Sequence, residues 1–96
     1  EDEGGAAELS GANEALYLKD YPRAARLAHV SMTKTKPTAE KYESAQYALA
    51  EALEAMGLGQ AAAEYYFAVV EQRQNPALLS RSLAGIARLA EKELIS

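Results

Sequence analysis

The sequence contains no cysteine and no tryptophan, and its 96 residues include a single histidine, His29. Without cysteine, the chain can form neither disulfides nor thiolate zinc sites, and cysteine-based catalysis is excluded. A lone histidine has no second imidazole with which to build a metal site, so we expect His29 to be a partly exposed helix residue. These absences predict a protein that uses no metal and no cofactor.

Positive charge is also scarce, because 14 acidic residues outnumber 10 basic ones and give a formal net charge of −4. Nucleic-acid binding requires a basic surface that displaces counterions from phosphates, and anionic membranes attract basic segments in the same way. No apolar run approaches the length needed to cross a bilayer. The sequence therefore predicts neither nucleic-acid binding nor membrane insertion.

Motifs that would indicate an enzyme are missing as well. The glycines at Gly57 and Gly59 punctuate helices and do not form a phosphate-binding loop. The carboxylates of Glu51 and Glu54 fit a solvated helix face better than an acid/base pair. We therefore expect a protein without enzymatic activity.

Apolar residues recur every three or four positions through most of the chain, and this spacing predicts amphipathic helices. Asp20 followed by Pro22, and Asn75 followed by Pro76, are typical helix starts, and Thr38 is a further candidate N-cap. Gly57 offers a left-handed helix end. The predicted helices are Ala6–Leu18, Tyr21–Thr33, Ala39–Met56, Gly59 or Gln60 to Gln74, and Pro76–Leu94.

The central stretch, Ala39 to Glu71, resembles a tetratricopeptide repeat, a helix–turn–helix unit of about 34 residues. Three positions depart from that pattern, namely Gln46, Val69 and the late proline Pro76. The positions that match it are Leu49, Ala50, Leu53, Gly57, Ala62 and Tyr66. Leu83 and Ala84 follow Leu49 and Ala50 at the same interval of 34, and Ala24 and Ala28 suggest a preceding unit.

The resemblance implies an all-α fold in which antiparallel helix pairs stack as a short right-handed α-solenoid of about five helices. It divides the chain into a flexible acidic N-terminus (1–5), a first helix pair (6–38), a second helix pair (39–75) and a capping or continuing helix (76–96). In the last helix we expect an inward face made of Leu79, Leu83, Ile86, Ala87, Ala90 and Leu94.

The resemblance also implies a function, because the first helices of such pairs line a concave groove that holds a partner peptide. Glu51 stands where the subclass that grips a C-terminal carboxylate needs a neutral or basic residue, so we do not expect that ligand. The leading hypothesis is a protein-interaction module, part of a larger scaffold. The expected groove residues are Glu14, Tyr17, Ser44, Tyr47, Glu51, Glu54, Leu78, Arg81, Gly85 and Arg88.

An alternative hypothesis is a structural spacer that forms homo-oligomers through its terminal helix, with Leu94 and Ile95 in the contact. The two hypotheses differ in the surface on which they depend. The style of the segment from Gly57 to Glu71 also resembles bacterial envelope-associated repeat proteins of motility or secretion machines. This resemblance suggests the periplasm or cell envelope, with the cytoplasm as the alternative.

Overall fold

The computed structural model describes residues 4–92, and all regular structure in that range is helical. The five helices expected from the sequence are present, and no strand occurs within the described range. Their bounds are α1 Ala6–Tyr17, α2 Tyr21–Thr33, α3 Glu40–Ala55, α4 Gly59–Gln72 and α5 Pro76–Glu91. The all-α prediction is confirmed, and the helix bounds differ from prediction by one or two residues where both lie in the described range.

The helix ends follow the local chemistry of the sequence in most places. Asp20 accepts the backbone N–H of Arg23 at the start of α2, and Asn75 accepts the N–H groups of Ala77 and Leu78 at the start of α5. Gly57 adopts a φ of 82° after α3, a conformation that glycine reaches without steric cost. The predicted cap at Thr38 is wrong, because α3 begins one residue later and Ala39 precedes it without a side-chain cap.

Helix α3 lies at the centre of the arrangement and contacts all four other helices. The remaining contacts join sequence neighbours, α1 with α2 and α4 with α5, whereas no Cα atom of α2 lies within 8 Å of one in α4. The molecule measures 41 × 27 × 18 Å. The shortest dimension corresponds to two layers of helices packed at about 8–10 Å.

Small side chains dominate the interior and let the helices approach closely. One cluster joins three helices through Ala50, Ala62, Ala63, Tyr66 and Leu89, and Tyr66 is the largest side chain buried in it. A second cluster packs Leu49 and Ala48 of α3 against Ala12 and Ala28 from the first two helices. Of the positions that match the repeat pattern, Leu49, Ala50, Ala62 and Tyr66 are buried in these two clusters and Leu53 packs against them, whereas Gly57 is exposed in the turn after α3.

The predicted inward face of α5 is wrong in part. The residues that α5 buries are Leu78, Ser82, Gly85 and Leu89. Leu79 and Ile86 are half-buried, but Leu83 remains 52 % exposed and Ala87 and Ala90 are exposed. The buried face of α5 therefore differs from the face that the apolar periodicity predicts. Because the helix is rich in alanine, several of its faces can pack, and the neighbouring helices determine which one is buried.

The N-terminal segment also differs from the expected free linker at the residues that can be described. Gly5 is buried, with a φ of 85°, and its carbonyl accepts a hydrogen bond of 2.9 Å from the Ser31 hydroxyl. A Cβ on Gly4 would lie 2.5 Å from the Lys34 carbonyl oxygen, so only glycine fits this close approach. Residues 1–3 and the predicted contact residues Leu94 and Ile95 lie outside the described range.

Candidate functional site on the face shared by α3 and α5

Helices α3 and α5 lie side by side and bring charged residues from both into one cluster. Glu54 pairs with Arg88, and Tyr47 and Glu51 lie within electrostatic range of Arg81 and Arg88. The direct contact joins two residues 34 positions apart, and the short connections from α3 to α4 and from α4 to α5 make α3 and α5 run parallel. Since α4 connects them, it runs antiparallel to both and supplies Tyr66 from below the cluster.

The ion pair between Glu54 and Arg88 is a two-point contact supported by a tyrosine. Arg88 donates from Nε to Glu54 Oε2 and from Nη2 to Oε1, each at 2.9 Å. The Tyr66 hydroxyl donates to the same Oε1 at 2.7 Å. The Arg88 guanidinium and then the Tyr66 hydrogen bond hold the pKa of Glu54 below its usual value, and this carboxylate in turn raises the pKa of Arg88.

Glu51 sits one turn earlier on α3 in a different environment. Desolvation raises the pKa of its carboxyl group, and this effect exceeds the lowering by the Tyr47 hydrogen bond and the nearby arginines. Burial, followed by the charge of Glu51, raises the pKa of Tyr47 to about 12. The Tyr47 ring tilts against Tyr66 with a centroid distance of 5.9 Å. The site therefore holds one carboxylate, Glu54, in an ion pair with an arginine and one, Glu51, that interacts with Tyr47.

An open cleft of about 340 Å³ lies over these groups, and we call it the α3–α5 cleft. Its exposed surface is more polar than apolar and carries both signs of charge. Such a cleft can accept a polar segment of another molecule but offers little apolar surface for enclosing a small ligand. The residues that line it are Glu51, Glu54, Ala55, Tyr66, Arg88 and Lys92.

Gly85 makes this arrangement possible. A Cβ on Gly85 would lie 2.6 Å from both Cε2 and Cζ of Tyr66, so the missing side chain allows α5 to rest directly on the tyrosine ring. This contact brings Arg88, one turn later, within reach of Glu54. The sequence prediction assigned Gly85 to an open surface, whereas the structure buries it at the α4–α5 contact.

The other residues predicted for a binding groove divide into three groups. Tyr47, Glu51, Glu54, Arg81 and Arg88 are brought together in one region. Ser44 is half-buried one turn before Tyr47 on the same helix, whereas Leu78 is only 8 % exposed and has little surface to offer a partner. Glu14 and Tyr17 are exposed on α1, which contacts α3 but not α5 within the described chain.

Sequence reasoning missed Tyr66, Ala55 and Lys92 as parts of the cleft. Tyr66 matches the aromatic position of the repeat and is fully buried, but its hydroxyl reaches the surface cluster. The sequence did contain a signal for the Glu54–Arg88 ion pair. These two residues carry opposite charges and are 34 positions apart, the same interval that relates Leu49 to Leu83. Side chains at equivalent positions of stacked units are neighbours, so this interval could have identified the pair.

Comparison with known proteins gave no match to any family model, curated protein or solved structure. The interpretation of the cleft therefore depends on its own geometry. Among residues 4–92, no group of three or more acidic or histidine side chains is arranged to hold a metal ion. Over the same range, none of the helices combines the length and the apolar character required to cross a membrane.

Proposed function

We propose that this chain is a protein-interaction module of the tetratricopeptide-repeat type, which binds a partner segment across the α3–α5 cleft. In this proposal the helix pairs α1–α2 and α3–α4 stack as a short right-handed solenoid, and α5 continues the layer that faces the ligand. The observation that carries the proposal is the convergence of Tyr47, Glu51 and Glu54 with Arg81 and Arg88 from a second helix.

The chemistry of the cleft favours recognition over catalysis. Both oxygens of Glu54 are occupied by donors from Arg88 and Tyr66, so this carboxylate acts as a structural ion pair. Displaced pKa values often mark catalytic acids and bases, but ion-pair networks displace them too. Without a second group free to exchange a proton, Glu51 alone does not make an acid/base pair.

Glu51, which lines the cleft, and Tyr47, one turn before it on α3, supply the adaptable part of the proposed binding surface. The Glu51 carboxylate has acceptor capacity beyond its hydrogen bond to Tyr47, so it can receive a backbone N–H or a polar donor from a bound segment. The Tyr47 ring is half-buried, and because a tyrosine side chain has only two rotatable torsions, it loses little conformational entropy on binding. We expect these two residues to contribute most of the affinity, and the Glu54–Arg88 pair to fix the shape of the cleft.

A random library of peptides about 12 residues long, displayed on phage and selected on the intact chain, would test this function. We expect enriched peptides whose binding falls at least tenfold with Tyr47→Ala and is also reduced by Glu51→Gln. The matched control is Phe67→Ala, which removes a half-exposed aromatic side chain of α4 that does not line the cleft. This variant should bind the selected peptides as the parent chain does.

Two results would contradict the proposal. One is the failure of the library to yield any peptide that binds the parent chain saturably. The other is a set of selected peptides whose binding is insensitive to Tyr47→Ala but lost with Phe67→Ala. Circular dichroism of each variant would establish that the helices are intact before binding is compared.

A further inference from the structure

The outer face of α5 is apolar where a solvent-facing helix is normally polar. Leu83 is 52 % exposed, and Ala84 and Ala87 on the same face are exposed as well. Phe67 of α4 is 49 % exposed. Phe67 follows Tyr66, which meets Gly85, so it lies close to the contact between α4 and α5. We call Phe67, Leu83, Ala84 and Ala87 the terminal patch.

The equivalent positions on α3 show what covers such a surface in this fold. Leu49 and Ala50 precede Leu83 and Ala84 by 34 residues, and they are only 5 % and 0 % exposed. The small side chains of α4 and the Tyr66 ring pack over Ala50. On α5 the matching strip has no covering helix within the described residues, although its sequence has the same leucine–alanine pair.

Charges around the terminal patch indicate the chemistry of a covering helix. Glu64 and Glu71 lie one turn on either side of Phe67, and both are exposed. Glu91 is exposed one turn after Ala87. The arginines of α5 lie toward the α3–α5 cleft, where Arg88 is already engaged by Glu54. An incoming helix would therefore meet a rim that is predominantly acidic.

A second copy of this chain fits the terminal patch poorly. The exposed face of a 16-residue helix is about 24 Å long and about 10 Å wide. Pairing two such faces would bury about 500 Å² in total, whereas specific dimers bury at least about 1,200 Å². The acidic rim and the net charge of −4 add repulsion between copies.

We propose that the terminal patch is a docking surface for an amphipathic helix that has an apolar stripe and basic flanks. Its apolar stripe would cover Leu83, Ala84 and Phe67, with Ala84 covered as α4 covers Ala50, and its basic flanks would lie near the acidic rim formed by Glu64 and Glu71. This surface is separate from the α3–α5 cleft, so the inference does not depend on the function proposed above.

A helical peptide with the sequence of Gly59–Gln72 provides a probe, because that segment is the covering helix of α3. The probe carries Glu64→Lys and Glu71→Lys and a hydrocarbon staple, since an unconstrained helix of 14 residues is marginal in water. Fluorescence anisotropy with the intact chain should give saturable binding with Kd of about 100 µM, as expected for so small a contact. The stapled peptide with both glutamates retained should bind at least fivefold more weakly.

Leu58 supplies a matched control for the docking residue. Leu58 is a leucine that is 50 % exposed, but it lies in the turn between α3 and α4. We expect Leu83→Glu to weaken binding of the basic probe at least tenfold and Leu58→Glu to change it less than twofold. Ala87→Gln, a milder change on the same strip, should weaken binding measurably, and Tyr47→Ala should leave it unchanged.

Any of three results would overturn the inference. The first is equal binding of the basic probe to the Leu83→Glu and Leu58→Glu variants. The second is binding of the acidic peptide as tight as that of the basic one, or no saturation with either up to about 1 mM. The third is sedimentation equilibrium showing a dimer of the parent chain that Leu83→Glu dissociates, because a second copy would then occupy the patch.

Discussion

Replacing Gly85 with alanine tests the close contact between α5 and the Tyr66 ring. In most helix interiors this change stabilises a protein by about 0.5–1 kcal/mol, because alanine has the better helix propensity. Here the new Cβ would lie 2.6 Å from two atoms of the Tyr66 ring. Tyr66 is fully buried among alanines and Leu89, so its ring cannot move aside without disturbing α3.

The expected magnitude follows from these opposing effects. Overpacking a close-packed core costs about 1–3 kcal/mol, and the gain in helix propensity offsets part of that cost. We therefore expect Gly85→Ala to lower the free energy of unfolding by about 1–2 kcal/mol. For a domain of this size, each kcal/mol corresponds to about 4–8 °C in Tm. Urea unfolding followed by circular dichroism would measure the change.

Gly11 provides the control, because it is also a glycine inside a helix. A Cβ on Gly11 would meet only the end of the flexible Leu27 side chain, at 3.1 Å. Gly11→Ala should leave stability unchanged or raise it by up to about 1 kcal/mol. If Gly85→Ala proved as stable as Gly11→Ala, the tight packing of α5 on Tyr66 would be wrong, and with it the positioning of Arg88.

Three further predictions concern ionisation in the cleft. Arg88→Met should lower the free energy of unfolding by less than about 1 kcal/mol at pH 7, because the arginine is half exposed. Since folding lowers the pKa of Glu54, this loss of stability should become smaller as the pH of the unfolding measurement falls below about 4.5. Glu51→Gln should raise stability slightly at pH 7, because burial raises the pKa of Glu51, and a gain that persists at pH 3 would contradict this reasoning. Tyrosinate absorbance during alkaline titration should show Tyr47 ionising near pH 12 rather than 10, and Tyr47→Phe should remove this late absorbance change. If the absorbance change near pH 12 kept its full amplitude in Tyr47→Phe, its assignment to Tyr47 would be wrong.

The residues of the cleft illustrate how far sequence reasoning reaches. The helix register alone placed Tyr47, Glu51 and Glu54 on one face of α3, because positions three and four apart share a face. It could not assign separate roles to the two glutamates, since the partners that distinguish them come from α4 and α5. The burial of Glu43 was not predicted either. Its carboxylate accepts the backbone N–H of Gln74 at 3.3 Å, a contact between residues 31 positions apart.

The sequence by itself determined several of the helix ends, because caps, prolines and turn glycines act through neighbouring backbone groups. Asp20, Asn75 and Gly57 each do so here. Only the tertiary structure decided which arc of α5 is buried. Periodicity fixes the relative positions of residues around a helix, but the neighbouring helices choose the face. In this chain the absence of a side chain at Gly85 allows the contact with Tyr66, and Leu83 is left exposed.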